Sequence, residues 1–351
     1  MMLPDIRTAD VENKTVLVRL DTDVPVENGQ ITDDSRLKAG LATVASVLDR
    51  GGKIVILGHL GRPDGEVVSA LSLAPVAKWF AEKLRVGSEK LEVIKFGDFD
   101  GWKLHENVSV LENLRFYSGE EKNDPEFAIQ LAKLGQVYTN DSFAVSHREH
   151  CSVVGIATLL PHFAGVRLQE EVSVLDGLLN NPKRPMVVVI GGAKMETKLP
   201  LITTMEKIAD HVLVGGKIAS EYRNSDINPK VLVGTLNAEG TDVTEESIEK
   251  FLSIINSCAT VVWNGPMGVI NSKFKIKSSE LNFDESSKGT VLLAQGIAKS
   301  SAYKVVGGGD TVEFIQRMGL TDKFDFVSTG GGAMLAFLSG ENLPGLEVLR
   351  T

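Results

Sequence analysis

The sequence predicts an α/β protein of two doubly wound, parallel-sheet (Rossmann-like) domains joined by a helix. Three observations carry this. Short β-branched runs alternate with apolar stripes of helix length, the rhythm of a parallel sheet covered by helices on both faces. The rhythm is interrupted once, at an amphipathic stretch from Val166 to Leu179 set off by Gly165 and Asn180-Asn181-Pro182, and then restarts. Clusters of glycine and charged residues follow the strands, where such sheets hold ligands. A length of 351 residues suits two domains.

In the first half, Thr15 to Leu20 is a β-rich run. Asp33-Asp34-Ser35-Arg36 opens a helix with Leu37, Leu41, Val44 and Leu48 on one stripe, ended by Gly51-Gly52. A strand from Lys53, a helix from Leu71 and strands at Glu92 and Val108 follow, then a helix from Pro125 and a strand at Val137. In the second half, strands are expected at Met186, His211, Val231, Thr260, Lys304 and Asp325, with helices from Glu196, Glu245, Thr290 and Thr311. The expected division is 1–164, a connecting helix over 165–181, a second domain over 182–333, and a tail over 334–351 that returns to the first domain.

Composition narrows the function. With 43% apolar and 24% charged residues the chain is an ordinary soluble globular protein. A formal charge of -9 argues against general nucleic-acid or membrane-surface binding. The 2 cysteines, Cys151 and Cys258, give no disulfide framework and no zinc spacing. Met1-Met2-Leu3-Pro4 does not begin a signal peptide and no apolar run reaches membrane-span length, so a cytoplasmic protein is expected. It is expected to act as a monomer.

The strand ends carry the chemistry. In the first half they are Asp21-Thr22-Asp23, Gly58-His59-Leu60-Gly61-Arg62, Glu112-Asn113-Leu114-Arg115, and Asn140-Asp141-Ser142-Phe143 with His147-Arg148 behind; Arg36 opens a helix. Arginine forks pair with carboxylates and phosphates, so in an acidic protein this set suggests a pocket for a small polyanion. In the second half the ends are glycine-rich: Gly191-Gly192-Ala193-Lys194, Gly215-Gly216-Lys217, Asn264-Gly265-Pro266-Met267-Gly268, Gly307-Gly308-Gly309-Asp310-Thr311 and Ser328-Thr329-Gly330-Gly331-Gly332-Ala333. Glycine lets an anion approach the free N–H groups of a helix start. Lys194 and Lys198 stand at a helix start, where cations oppose the dipole and an anion would relieve them. Asp310 is either a magnesium ligand or the N-cap of the next helix. No P-loop, no G-x-G-x-x-G after a strand and no nucleophile elbow occurs.

Eight of these motifs, in order and over nearly the whole chain, resemble the phosphoglycerate kinase family: Arg19-Leu20-Asp21-Thr22-Asp23-Val24-Pro25, His59-Leu60-Gly61-Arg62-Pro63, Leu111 to Phe116, Asn140 through Arg148, Gly191 to Lys194, Trp263 to Pro266, Gly307 to Thr311, and Ser328 to Ala333. The resemblance implies reversible phosphoryl transfer between 1,3-bisphosphoglycerate and Mg-ADP, giving 3-phosphoglycerate and Mg-ATP, on domain closure. It implies that Asp21, Asp23, Arg36, His59, Arg62, Arg115 and Arg148 hold the phosphoglycerate. The nucleotide would lie on Gly192, Ala193, Lys198, Gly215, Gly216, Asn264, Pro266, Asn271, Gly308, Gly309, Asp310 and Thr311, with Mg²⁺ on Asp310. Arg36, Lys194 and the N–H groups at Gly330, Gly331 and Gly332 would stabilise the moving phosphoryl group.

The chain departs from the family pattern in four places. Asp23 replaces an asparagine, which adds a carboxylate beside an anionic substrate. Lys217 replaces a glycine, Asn271 replaces a glutamate, and the stretch from 217 to 262 is shortened. These leave two functional expectations: an active kinase with a trimmed nucleoside site, or a non-catalytic paralogue that binds phosphoglycerate or another anion.

Overall fold

The computed structural model describes residues 2–85, 91–222, 228–270 and 286–350. It divides into two compact units, Met1–Ser173 with Asn342–Thr351, and Val174–Glu341. The division falls within the continuous helix Val166–Asn180, not at its ends. Residues 334–341, expected in the tail, belong to the second unit. The helix Gly331–Leu338 runs straight on from the glycine turn, and the Ser339 carbonyl beyond it accepts from Thr204 Oγ1 at 3.0 Å. The returning segment is 342–351, where Gly345 N donates to the Ser146 carbonyl at 2.9 Å.

The first unit holds a seven-stranded sheet in the order Glu92–Phe96, Phe99–His105, Val108–Leu111, Lys53–Leu57, Thr15–Arg19, Val137–Asn140, His162–Ala164. Thr15–Arg19 is an interior strand, and Val16, Leu17 and Val18 are buried, as a strand covered on both faces requires. Arg19 pairs level with Leu57 on one side and Asn140 on the other. The loops after these three strands therefore leave the sheet side by side.

The sheet is not wholly parallel, as the alternation predicted. An unanticipated strand, Phe99–His105, is antiparallel to both neighbours. Gly97-Asp98 links the opposed residues Phe96 and Phe99, and Glu106-Asn107 links His105 and Val108. Two residues suffice for a hairpin, whereas a parallel crossover needs a dozen or more. The single helix expected from Asp33 is two, Ser35–Ala39 and Leu41–Leu48, meeting at Gly40, where a Cβ would come within 2.8 Å of Leu20.

The second unit has a six-stranded, all-parallel sheet in the order Val231–Val233, His211–Val214, Met186–Ile190, Thr260–Asn264, Tyr303–Gly307, Phe326–Val327. By chain order this is the 3-2-1-4-5-6 arrangement of nucleotide-binding sheets, whose crevice opens where the order reverses. That point lies between Met186–Ile190 and Thr260–Asn264. Ile190 stands opposite Val214 and Asn264, and Asn264 opposite Gly307, so the glycine turns also emerge level. Trp263, fully buried, fixes one of them by donating from Nε1 to the Gly265 carbonyl at 2.8 Å. An indole in such a core is worth about 3–5 kcal/mol against alanine. Among the described residues no helix is long and apolar enough to cross a membrane.

The start of Val166–Asn180 is held by the helix Leu41–Leu48 and by the loop after Val137–Asn140. Val166 N donates to Thr43 Oγ1 at 2.7 Å, and Leu168 N to Asp141 Oδ1 at 3.0 Å. Burial pushes the Asp141 carboxyl up to about 7, while its hydrogen bonds pull the other way. Between its ordinary 3.8 and about 7, the folded chain holds a proton that the unfolded chain has lost. Stability from this group is therefore full at low pH and lost as pH rises towards 7. Asp141→Asn keeps the acceptor for Leu168 and does not titrate. Its urea midpoint should gain on the wild type as pH rises from about 4 to 7 and hold steady above that. A difference independent of pH would contradict this account.

Candidate active site

The first face grows from the level ends of Thr15–Arg19, Lys53–Leu57, Val108–Leu111 and Val137–Asn140. Thr22 Oγ1 accepts from His59 N at 2.8 Å and donates to the His59 carbonyl at 2.7 Å, which ties two loops together. Arg36 Nη1 donates to the Asp23 carbonyl at 3.0 Å and lies 3.5 Å from Asp21 Oδ1. Arg115 Nη1 donates to the Gly61 carbonyl at 2.7 Å, and its Nε lies 3.1 Å from Glu121 Oε1. Arg148 Nε donates to His147 Nε2 at 3.4 Å. Asp21, Asp23, Arg36, His59 and Arg115 are thus drawn together, and the charge of Arg148 reaches His59 and Arg115. Arg62 is exposed and makes no hydrogen bond or ion pair among the described residues.

The electrostatics suit an anion. Burial, reinforced by Arg19, Arg115 and Arg148, holds His59 well below its ordinary value, so its imidazole is neutral. Burial pushes Asp21 up, with Asp23 adding to the effect and Arg36 opposing it. Arg115 is 3% exposed, yet its Nη2 has no hydrogen-bond partner among the described residues. A buried guanidinium donor left unpaired is costly unless a ligand completes it. Asp23, whose carboxylate looked repulsive from the sequence, is already engaged: its Oδ1 accepts from Gly61 N at 2.9 Å, and its Oδ2 lies 3.9 Å from His59 Nε2. An asparagine would make the same bond to Gly61 through its carbonyl oxygen.

The second face is made of backbone. Gly191 N donates to the Asn264 carbonyl at 3.0 Å, and Gly192 N to the Pro266 carbonyl at 2.9 Å. Gly216, at φ 68°, passes so close that a Cβ there would lie 2.6 Å from Gly192 N and 2.9 Å from the Pro266 carbonyl oxygen. Gly265 N donates to Thr311 Oγ1 at 2.9 Å. Lys198 is buried and donates to Asn264 Oδ1. Burial pulls its ammonium down to about 8, with Asp310 pushing the other way. Lys194 is the exposed N-cap residue of the helix Met195–Ile208, so both lysines do stand at the positive end of a helix. Asp310 is not the cap of its helix: Gly309–Arg317 is capped by Gly308, which leaves the Asp310 carboxylate free in the first turn. The first turn of Gly331–Leu338 offers Gly331 and Gly332 N–H groups without intrahelical acceptors, while Gly330 N donates to Ser328 Oγ at 3.3 Å.

A cavity of about 410 Å³ opens beside these turns, of a size that holds a small-molecule ligand. Gly192, Ala193, Gly216, Pro266 and Asp310 line it, as does Lys217, the residue standing where the family pattern has glycine. Its remaining wall includes Phe314 and Arg317, which the sequence reading passed over. They sit four and seven residues after Asp310, on one face of its helix, and that spacing was the available signal. Also passed over were Glu120 and Ser152, which pair behind the first face. Asn271 lies outside the described residues.

Two neighbouring glycines separate packing from composition. A Cβ at Gly309 meets nothing within 4 Å, whereas at Gly331 it meets Gly308 Cα at 2.7 Å, backbone that cannot rotate away. Gly309→Ala should leave the melting temperature unchanged or slightly raised. Gly331→Ala should lower it by about 3–10 °C. Equal melting temperatures would show that the turns do not approach as described.

Comparison with known proteins gives the family. The family model described as phosphoglycerate kinase matches residues 6–231 and 223–341. The phosphoglycerate kinase of Rubrobacter xylanophilus is 36% identical over 393 residues, covering 98% of this chain and 97% of the relative. That of Caulobacter vibrioides is 36% identical over 410 residues, covering 100% of both. Both aligned spans exceed the 351 residues here, so the relatives carry segments that this chain lacks. The solved phosphoglycerate kinase of Coxiella burnetii superposes with a TM-score of 0.81 at 30% identity, covering 99% of each chain. That of Pyrococcus horikoshii gives 0.79 at 27%, covering 99% of this chain and 98% of the other. The chain belongs to the phosphoglycerate kinase family, phosphotransferases that use ATP and ADP in the reversible phosphoryl transfer of glycolysis.

Proposed function

We propose that the first unit binds the phosphoglycerate and the second the magnesium nucleotide, and that Arg36 and Lys194 act on the phosphoryl group in transit. The observation that carries this reading is the start of the helix Met195–Ile208. Its N-terminus already has a positive dipole end, yet it holds Lys194 exposed and Lys198 buried. Cations gathered there are unfavourable alone and favourable around phosphate.

On the first face, Arg36, His59, Arg62, Arg115 and Arg148 supply donors to the acid and its phosphate, with Asp21 and Asp23 orienting Arg36 and the loop at Gly61. On the second, Gly192, Ala193, Gly215, Gly216, Asn264, Pro266, Gly308, Gly309 and Thr311 cradle the nucleotide, and Lys198 meets its phosphates. Magnesium fits this donor set. Among the described residues no three His, Cys, Asp or Glu side chains gather into a metal cage, and two carboxylates line the cavity, Asp310 and Glu313, the second paired with Arg317. Mg²⁺ takes such sites with phosphate oxygens and water completing its shell. When bound it would spread the charge of the nucleotide phosphates.

The acceptor in either direction is an oxygen that is already ionised, so no general base is required. What remains for the protein is placement and charge. Arg36 and Lys194 neutralise the equatorial oxygens, and the N–H groups of Gly331 and Gly332 supply fixed dipoles, that of Gly330 being turned to Ser328 Oγ. No observation favours the non-catalytic alternative. We take the protein to work as a cytoplasmic monomer without nucleic-acid or membrane partners, in keeping with its net charge of -9.

Arg36→Ala and Lys194→Ala should each lower kcat by about 10²–10³-fold in a coupled assay, with little change in melting temperature. A kcat within a factor of about two of wild type for either variant would remove that residue from the mechanism.

A further inference from the structure

We propose that Arg19 is a positioning residue that holds His59 in one neutral tautomer, with the ring proton on Nε2. Arg19 closes the interior strand Thr15–Arg19 of the first sheet and is fully buried. Its Nη2 lies 2.9 Å from His59 Nδ1. A guanidinium has donors and no acceptor, and it stays protonated. The bond can therefore run only from Arg19 to an unprotonated Nδ1, which leaves the single ring proton on Nε2, on the side of Asp23 Oδ2, 3.9 Å away.

Arg19 cannot turn aside. Its Nε donates to Ser152 Oγ at 2.9 Å and its Nη1 to the Leu20 carbonyl. Ser152 Oγ in turn donates to Glu120 Oε1 at 2.5 Å, and Ser152 N donates to Glu120 Oε2 at 2.9 Å. Glu120 is fully buried, so its carboxylate offsets the guanidinium charge across one hydroxyl. The His59 backbone is pinned separately, through Thr22 Oγ1. The charges that act on the ring come from several elements: Arg19 from the strand, Asp23 from the loop after it, Arg115 from the loop after Leu111, and Arg148 and His150 from the segment after Asn140. Four of these are basic groups, and they and burial oppose a second proton on the ring.

The consequence for ligands, which rests on the phosphoglycerate reading of this face, is that His59 offers an N–H donor and not a cation. Binding of the acid would then follow no titration of His59.

The test is ring-nitrogen NMR of the ¹⁵N-histidine-labelled whole protein. It has 6 histidines, and the signals lost in His59→Gln give the assignment. In the wild type, His59 should show protonated Nε2 and bare Nδ1, with no movement between about pH 5 and 8. A proton on Nδ1, or titration in that range, overturns the proposal, and this arm needs no variant to fold. Arg19→Met combined with Glu120→Gln removes the guanidinium together with its buried counter-charge. His59 should then show the second tautomer or begin to titrate, and a spectrum identical to wild type overturns the role of Arg19. Adding 3-phosphoglycerate separates the two readings. If the tautomer is as stated and the His59 signals do not move, the ligand assignment of the face falls and the tautomer stands.

Discussion

In each sheet of this protein the parallel strands end level. Arg19 lies opposite Leu57 and Asn140, and Ile190 opposite Val214 and Asn264. Backbone pairing of this kind is indifferent to side chains, yet it decides which of them meet. A shift of one residue in any strand would send its side chains to the other face. It would also displace its loop by about 3.3 Å, more than the length of the hydrogen bonds that join the loops. The contacts Thr22–His59, Asp23–Gly61 and Arg115–Gly61 on one face, and Gly191–Asn264 and Gly265–Thr311 on the other, all presuppose that register.

The two faces solve the binding of anions differently. The first uses buried side chains, and its cost is desolvation. Arg19 and Arg115 are taken out of water, and Glu120 and Glu121 stand within reach to offset them. The second uses backbone and a helix end, with glycines to admit close approach and Lys194 and Lys198 at the helix start. Charge alone would not have placed a polyanion on a chain of net charge -9. Local geometry concentrates the positive groups where the strands stop.

The alternation of strands and helices was legible because burial on both faces gives strands such as Met186–Ile190 an unbroken apolar run. The glycine turns and the arginines were legible for the opposite reason: they break those runs at their ends. Phe99–His105 was not, since Asp100 and Lys103 interrupt its pattern and two-residue turns leave no room for a helix on either side. The pairing of Glu120 with Ser152 could not be read either, because only the fold brings them together. Asp23 shows the same limit from another side. Its charge was visible, while the Gly61 N–H that occupies it belongs to another loop.

One departure, Lys217, stands in the wall of the cavity where the family pattern has a small residue, and the groups assigned to the phosphoryl transfer are retained. The direct measurement of whether that retention is enough is turnover by the purified wild-type protein, with 3-phosphoglycerate and Mg-ATP in a coupled assay. The account predicts sustained turnover that needs both substrates and stops when magnesium is chelated. Folded protein that binds both ligands by calorimetry and yet gives no turnover above background would contradict it.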